Sequence, residues 1–314
     1  MRDLRRGGGL LLLLGGIAVA APLIATERAW LASGPQGLSS PALRAWLGLA
    51  LPAQDGVSRT VLHAPIPHEP DSVDLDHSLA SPSREHWLGT DVLGRDLAAR
   101  VVHGARVSLA VGLLAALFAL LVGVPVGAAA GYGAGWFDMA ASRMMEAVLA
   151  VPTLVLALAL LTAGPSWLER SPDVLRIAVV LALSGWVPLA RYVRGEVLRV
   201  RSSAMVEAAR AAGGSDLRVI VRHLLPAALA PVLVTAAFAV GAAISAEAAL
   251  SFLGFGVRPP VPSWGGLLTE AREQIQRGWW LVLFPGAALF LTVIGCNLLG
   301  EGMRAWLDPR ARRR

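Results

Sequence analysis

The sequence predicts an all-α membrane protein with about six transmembrane helices, and three observations carry that prediction. Of the 314 residues, 55% are apolar and the mean hydropathy is +0.59, well above an ordinary soluble domain. The apolar residues fall into runs that meet the length of about 20 residues needed to cross a bilayer. All 28 basic residues are arginine, and they cluster at the ends of those runs rather than inside them.

The runs justify six spans in order, at 9–27, 105–131, 139–163, 174–194, 227–250 and 280–302. The first follows Arg2, Arg5 and Arg6. The same basic start, apolar run and Ala18-Val19-Ala20 also read as a secretory signal peptide, in which case five spans remain and the later ones do not move. The second carries Gly123, Gly127 and Gly131, two overlapping GxxxG steps that predict close helix packing, within the chain or against another subunit. The third holds Arg143 and Glu146, three residues apart on one helical face. Arg191 and Arg194 border the end of the fourth. The fifth is alanine-rich, with Gly241, Ser245 and Ala249 on one line, and the sixth contains the single cysteine, Cys296, expected to be a buried free thiol.

Four regions follow from this reading. Residues 1–28 are an N-terminal tail and first span, and 29–104 an extracytoplasmic segment. Residues 105–303 form a core of five spans that includes a cytoplasmic loop at 195–226, and 304–314 a basic cytoplasmic tail. The long segment opens rich in Pro, Gly and Ser, and its short apolar piece Ala42–Leu51 suits the membrane interface better than a span. With the N-terminus inside, the inner flanks collect Arg2, Arg5 and Arg6, the seven arginines from Arg191 to Arg222, and those from Arg304 to Arg314. That asymmetry is what the positive-inside rule demands.

Composition also excludes function classes. The sequence pI of 10.9 does not mark a nucleic-acid binder, because the arginines sit at span ends and not in a basic domain with aromatic platforms. A P-loop ATPase needs GxxxxGK[ST]; the chain has neither that loop nor any lysine, so no ATPase site and no bound cofactor are expected in it. Asp91 and Asp96 lie close in sequence but lack a nucleophile or metal partner, so turn chemistry is preferred to a catalytic pair. The histidines His63, His68, His77, His86 and His103 are irregularly spaced, without a cysteine or a helical i, i+4 pair, and are expected to be solvated side chains and not metal ligands.

The most informative stretch is Met205–Pro226. Ala204, Ala208, Ala211 and Ala212 fall at i, i+4, i+7 and i+8, one face of a short helix. Gly213-Gly214 breaks it. Ser215 and Asp216 then supply cap-type oxygens and first-turn negative charge for a second helix running toward Pro226. Two short helices about a glycine turn, pinned between spans, make a stiff knob.

This stretch resembles the EAA loop of ABC importer permeases: Glu207-Ala208-Ala209, Gly213 and Leu225-Pro226 sit at the family's offsets, with His223 where many members carry isoleucine. Three further blocks are similar to the second permease subunit of the dipeptide, oligopeptide and nickel branch. They are His86-Trp87-Leu88-Gly89-Thr90-Asp91 with Gly94-Arg95-Asp96 and Gly104-Ala105-Arg106; Glu247–Gly254 with Pro259–Gly265; and Phe284-Pro285-Gly286 with Asn297–Gly302 and Leu307-Asp308-Pro309. Trp87 replaces the usual proline, Glu301 the usual aspartate, and the segment at about 30–65 has no counterpart in the pattern.

The resemblance implies a type I ABC importer permease fold in a bacterial-type inner membrane, with both termini cytoplasmic. It implies a transport subunit for di- or oligopeptides, or the same machinery carrying nickel or another small solute. It also implies partners: a second homologous permease, two cytoplasmic ATPase subunits that hold ATP and Mg, an extracytoplasmic substrate-binding protein and the lipid bilayer. Glu207, Ala208, Ala209, Gly213, His223, Leu225 and Pro226 would dock an ATPase. Glu247, Ser251 and Glu146 are candidates for the translocation path or its gating, since ionisable groups in or beside spans are costly, although Glu146 is more readily a structural partner of Arg143. The rival from another class, an autonomous secondary transporter, would want inverted repeats and mid-depth carboxylates, which the sequence lacks. A membrane-embedded hydrolase would need more than His223.

Overall fold

The computed structural model describes residues 2–34, 37–49, 59–133 and 135–307. Part of the 30–65 segment, at 50–58, and the end of the basic tail, 308–314, lie outside the described residues. In chain order the helices are α1 Arg2–Ile24, α2 Pro41–Trp46, α3 Leu97–Gly133, α4 Trp136–Leu149, α5 Thr153–Ala163 and α6 Ser166–Glu169. They continue with α7 Asp173–Arg201, α8 Ala204–Ala211, α9 Asp216–Val219, α10 Leu225–Phe252, α11 Trp264–Ala271 and α12 Trp280–Leu307.

Among the described residues α1, α3, α7, α10 and α12 are long and apolar enough to cross a membrane. All five overlap predicted spans; α1 starts earlier than predicted but stops at Ile24, short of 27, and the others run past one or both predicted ends. α3 has 37 residues, about 55 Å at 1.5 Å per residue, against a hydrocarbon core of about 30 Å. The predicted span at 139–163 is corrected. It is two helices, α4 and α5, bent by 85° at a short break. Pro152 causes it: proline has no N–H to continue the ladder, it drives the preceding Val151 away from helical backbone, and here it caps α5 with φ −54 and ψ 133. Among the described residues the candidate spans therefore number five, or six with the bent pair taken as one broken span.

A second difference lies in the segment without a counterpart in the family pattern. It contains a small antiparallel sheet, β1 Leu31–Gly34, β2 Gly37–Ser39 and β3 Arg59–Leu62, in the order β2-β1-β3. An otherwise all-helical chain thus carries a strand element where the sequence offered only turn-rich composition. The first part of the short apolar piece forms α2 there, and its last two residues lie outside the described ones; the Trp46 indole donates to the Val19 carbonyl of α1 at 3.1 Å.

The described residues divide into two compact units. One comprises 1–11, 110–250 and 292–314, the other 12–109 and 251–291. The first has a core of Ala119, Met145, Trp186 and Leu189, continuous with a cluster of Val193, Val197, Val206, Val219 and Leu224. The second centres on Leu97, Trp264, Leu267, Trp280 and Leu281.

Candidate functional site

In the first unit the GxxxG residues settle a question the sequence left open. A Cβ added to Gly123 would lie 2.8 Å from the Trp186 carbonyl oxygen, at Gly127 2.3 Å from that of Ala190, and at Gly131 2.8 Å from that of Arg194. The glycine ridge of α3 is therefore pressed onto the backbone of α7, within the chain. Arg194, at the end of that contact, makes a two-pronged ion pair with Asp138 of α4, at 2.5 and 2.8 Å. Arg201 closes the last turn of α3 by donating to the Tyr132 carbonyl at 3.1 Å.

The knob is built on this base. α8 and α9 flank Gly213, whose φ of +76 is the left-handed conformation that a tight helix stop requires. Ser215 occupies the cap position of α9 without a side-chain cap bond, so the capping role expected of its hydroxyl is corrected. Asp216 does something else: its carboxylate accepts from the Tyr132 hydroxyl at the end of α3. The same ring lies under the Arg210 guanidinium, 5.0 Å from its centroid. Tyr132 thus grips both helices of the knob. Nothing local in the sequence marks that residue, because the contact spans 84 positions.

One face of the knob is fused into the bundle. Val206 of α8, Val219 of α9 and Leu224 are fully buried against Val193, Val197 and Val200 of α7 and against Ala228 and Val232 of α10. Each such burial is worth about 1.5–3 kcal/mol relative to exposure. The other face is open: Glu207, Ala208, Ala211, Ala212 and Gly213 are exposed, beside Met205, Val221 and Leu217, the last 71% exposed. Between α9 and α10 the chain passes through a turn of π-helix, Ile220–Leu224, that holds the half-buried His223 and leads directly into Leu225 and Pro226. The structure brings Glu207, Ala208, Ala209, Gly213, His223, Leu225 and Pro226 into one element.

It does not gather the other three candidates there. Glu146 lies on α4 in a surface ion pair with Arg143 at 2.8 Å, a contact worth little in water. Glu247 is wholly buried in α10. Ser251 lines a cleft of about 150 Å³ in the second unit, with Arg258, Thr269 and Glu270. A groove of about 340 Å³ lies in the first unit between α3, α5, α7 and α10. Ala119, Thr153, Ser184, Thr235, Phe238 and Ala246 are among its lining residues. Its lining is mostly apolar, with the hydroxyls of Thr153, Ser184 and Thr235.

The second unit explains the block from His86 to Arg106. Asp91 accepts from the Leu93 and Arg95 amides at 2.8 and 3.0 Å, from Arg95 Nε at 2.7 Å and from Arg100 Nη1 at 2.6 Å. Glu270, in α11, completes the network with Arg95 at 2.9 Å and Arg100 at 2.6 Å. Arg100 is buried, and without its carboxylates its charge would be uncompensated. Asp96 caps α3 through the Ala99 amide at 2.7 Å and contacts His86 Nδ1 at 2.9 Å. Asp91 thus orders the arginine network, and Asp96 fixes the start of α3.

The histidines depart from expectation. His86 is buried, its ring 4.7 Å from that of His68 and 5.6 Å from that of His77. His77 is paired through Nδ1 with Asp74 at 2.7 Å, and that hydrogen bond raises the His77 pKa above 6.5 while lowering that of Asp74. The reading of these histidines as solvated side chains is corrected for buried His86 and for half-buried His68 and His103, whereas His63 and His77 are exposed.

Comparison with known proteins agrees with the fold. The family model described as binding-protein-dependent transport system inner membrane component matches residues 123–313. The dipeptide transport system permease protein DppC of Alkalihalophilus pseudofirmus is 43% identical over 234 residues, 74% of each chain. The glutathione transport system permease protein GsiD of Escherichia coli O1:K1 is 38% identical over 237 residues, 76% of each. A solved inward-facing structure of the MetNI methionine ABC transporter aligns with a TM-score of 0.55 over 67% of this chain and 97% of that one. At 20% identity this last likeness speaks to fold alone.

Proposed function

The chain belongs to the family of binding-protein-dependent transport system inner membrane components, and from that premise we propose that it is the permease subunit of an ATP-driven importer of di- and oligopeptides. The observation that carries the coupling role is the knob: an exposed two-helix face, turned tightly at Gly213, whose opposite face is one with the core of α7 and α10. A push on α8 has no soft joint in which to dissipate. It is delivered to the helices that wall the 340 Å³ groove.

In this mechanism the knob faces the cytoplasm, where the arginines near it favour it, and seats in one of two ATPase subunits that hold ATP and Mg. A second, homologous permease closes the path from the other side. An extracytoplasmic binding protein delivers cargo and sets which solute is carried. The names of the relatives, dipeptide and glutathione permeases, support a short-peptide cargo. The chain itself makes and breaks no covalent bond. Nucleotide and cargo bias the populations of its states.

Reconstitution tests this. Labelled dipeptide should enter proteoliposomes only when the chain is combined with its partner permease, the ATPases, the binding protein and ATP. Uptake by the lone chain without ATP would overturn the proposal and favour a secondary transporter.

A further inference from the structure

In the second unit, one ligand atom from each of His68, His86 and Asp96 lies within 4.8 Å of the other two. We propose that these three side chains hold a divalent transition-metal ion, zinc by the character of the donors. Two imidazoles and a carboxylate suit a borderline divalent cation and disfavour magnesium or calcium, which prefer all-oxygen shells.

The donors are preorganised. Asp96 is fixed as the cap of α3 by the Ala99 amide. His86 sits in a tight turn, its amide bonded to Ser83 Oγ at 3.0 Å and its carbonyl accepting from Ser83 and Gly89 at 2.8 and 2.9 Å. His68 follows the bridge of Ile66 to Ala25. His68 Nε2 lies 3.3 Å from the Glu85 carbonyl; as a donor there it leaves Nδ1 as a free lone pair. An imidazole whose second nitrogen donates to a carbonyl is the usual state of a metal-binding histidine.

Metal–ligand bonds of about 2.0–2.2 Å need the three donors to close in by roughly an ångström, which side-chain rotation of the half-buried His68 supplies. Water completes the shell. His77, paired with Asp74, lies outside the set of donor atoms that approach one another within 4.8 Å. The ion would staple three separate stretches, at 68, 86 and 96, to the start of α3. This inference does not depend on the importer reading.

The test uses the full chain purified in detergent with a histidine-free tag, stripped with EDTA and titrated with zinc, followed by elemental analysis and thermal unfolding. One zinc per chain is expected, with a rise in melting temperature. His68→Gln should weaken zinc binding by about tenfold or more, whereas His63→Gln, an exposed histidine outside the cluster, should leave it unchanged. Cobalt in place of zinc should give visible absorption bands on the wild-type chain, a readout that needs no variant. No cobalt spectrum, or equal zinc binding by wild type and His68→Gln, would mean that the cluster is only a hydrogen-bonded turn.

Discussion

Gly213→Pro is expected to leave the protein inserted and monodisperse while ATP-dependent uptake falls by about tenfold or more. The backbone at Gly213 has φ +76, and proline is held near −65°, so the turn between α8 and α9 cannot be kept. Proline also removes the Gly213 amide that donates to the Arg210 carbonyl at 2.9 Å. No other atoms lie within 4 Å of where a Cβ would stand, so the defect is one of backbone direction alone. Losing about 1.4 kcal/mol of productive docking is already a tenfold effect on rate. Gly213→Ala provides the graded control: it costs only the left-handed strain of an L-residue, about 1–2 kcal/mol, and should impair uptake less. Glu207→Lys tests the exposed face without touching the turn and should raise ATPase activity that no longer tracks cargo. Uptake at the wild-type rate in both Gly213→Pro and Glu207→Lys, with cargo-stimulated ATPase intact, would remove the docking role.

The knob was legible in the sequence because its determinants are local: alanines at helical spacing, a glycine stop and a terminal Leu-Pro. The five long spans were legible for the same reason, since hydropathy needs no partner. What failed to show depends on contacts between distant residues. Strands β1 and β3 are four residues each, one of them holding Gly and Ser, and only their pairing across the intervening chain makes them strands. Tyr132 looks like a lone aromatic at a helix end until Asp216 and Arg210 are brought to it. His68, His86 and Asp96 share no periodicity; tight turns, with left-handed backbone at Gly89 and Gly94, deliver them to one place. The bend at Pro152 is the instructive case. Its signal was in the sequence, a proline well inside a run read as a single helix, and hydropathy alone does not register it.

Gly127→Leu is expected to abolish the folded chain, and even Gly127→Ala should lower its thermal stability sharply. The methyl group would meet the Ala190 carbonyl oxygen at 2.3 Å and Val193 Cβ at 2.9 Å, and the nearer obstacle is backbone, which cannot rotate away. Relief requires α3 and α7 to separate along the whole Gly123–Gly127–Gly131 ridge. The cost should exceed the about 1–3 kcal/mol typical of overpacking, because the helix-to-helix approach itself is lost. Gly185, on α7, is the internal comparison. A Cβ there meets only Ala119 Cβ at 3.8 Å, an ordinary contact, so Gly185→Ala should be neutral or stabilising by up to about 1 kcal/mol through helix propensity. Melting curves of the two alanine variants in detergent decide the matter. If they coincide, the ridge is not a packing surface within the chain, and the rigid link from knob to groove loses its physical basis. A wide gap between them means that the three glycines of α3 hold α7, and with it the knob, in place.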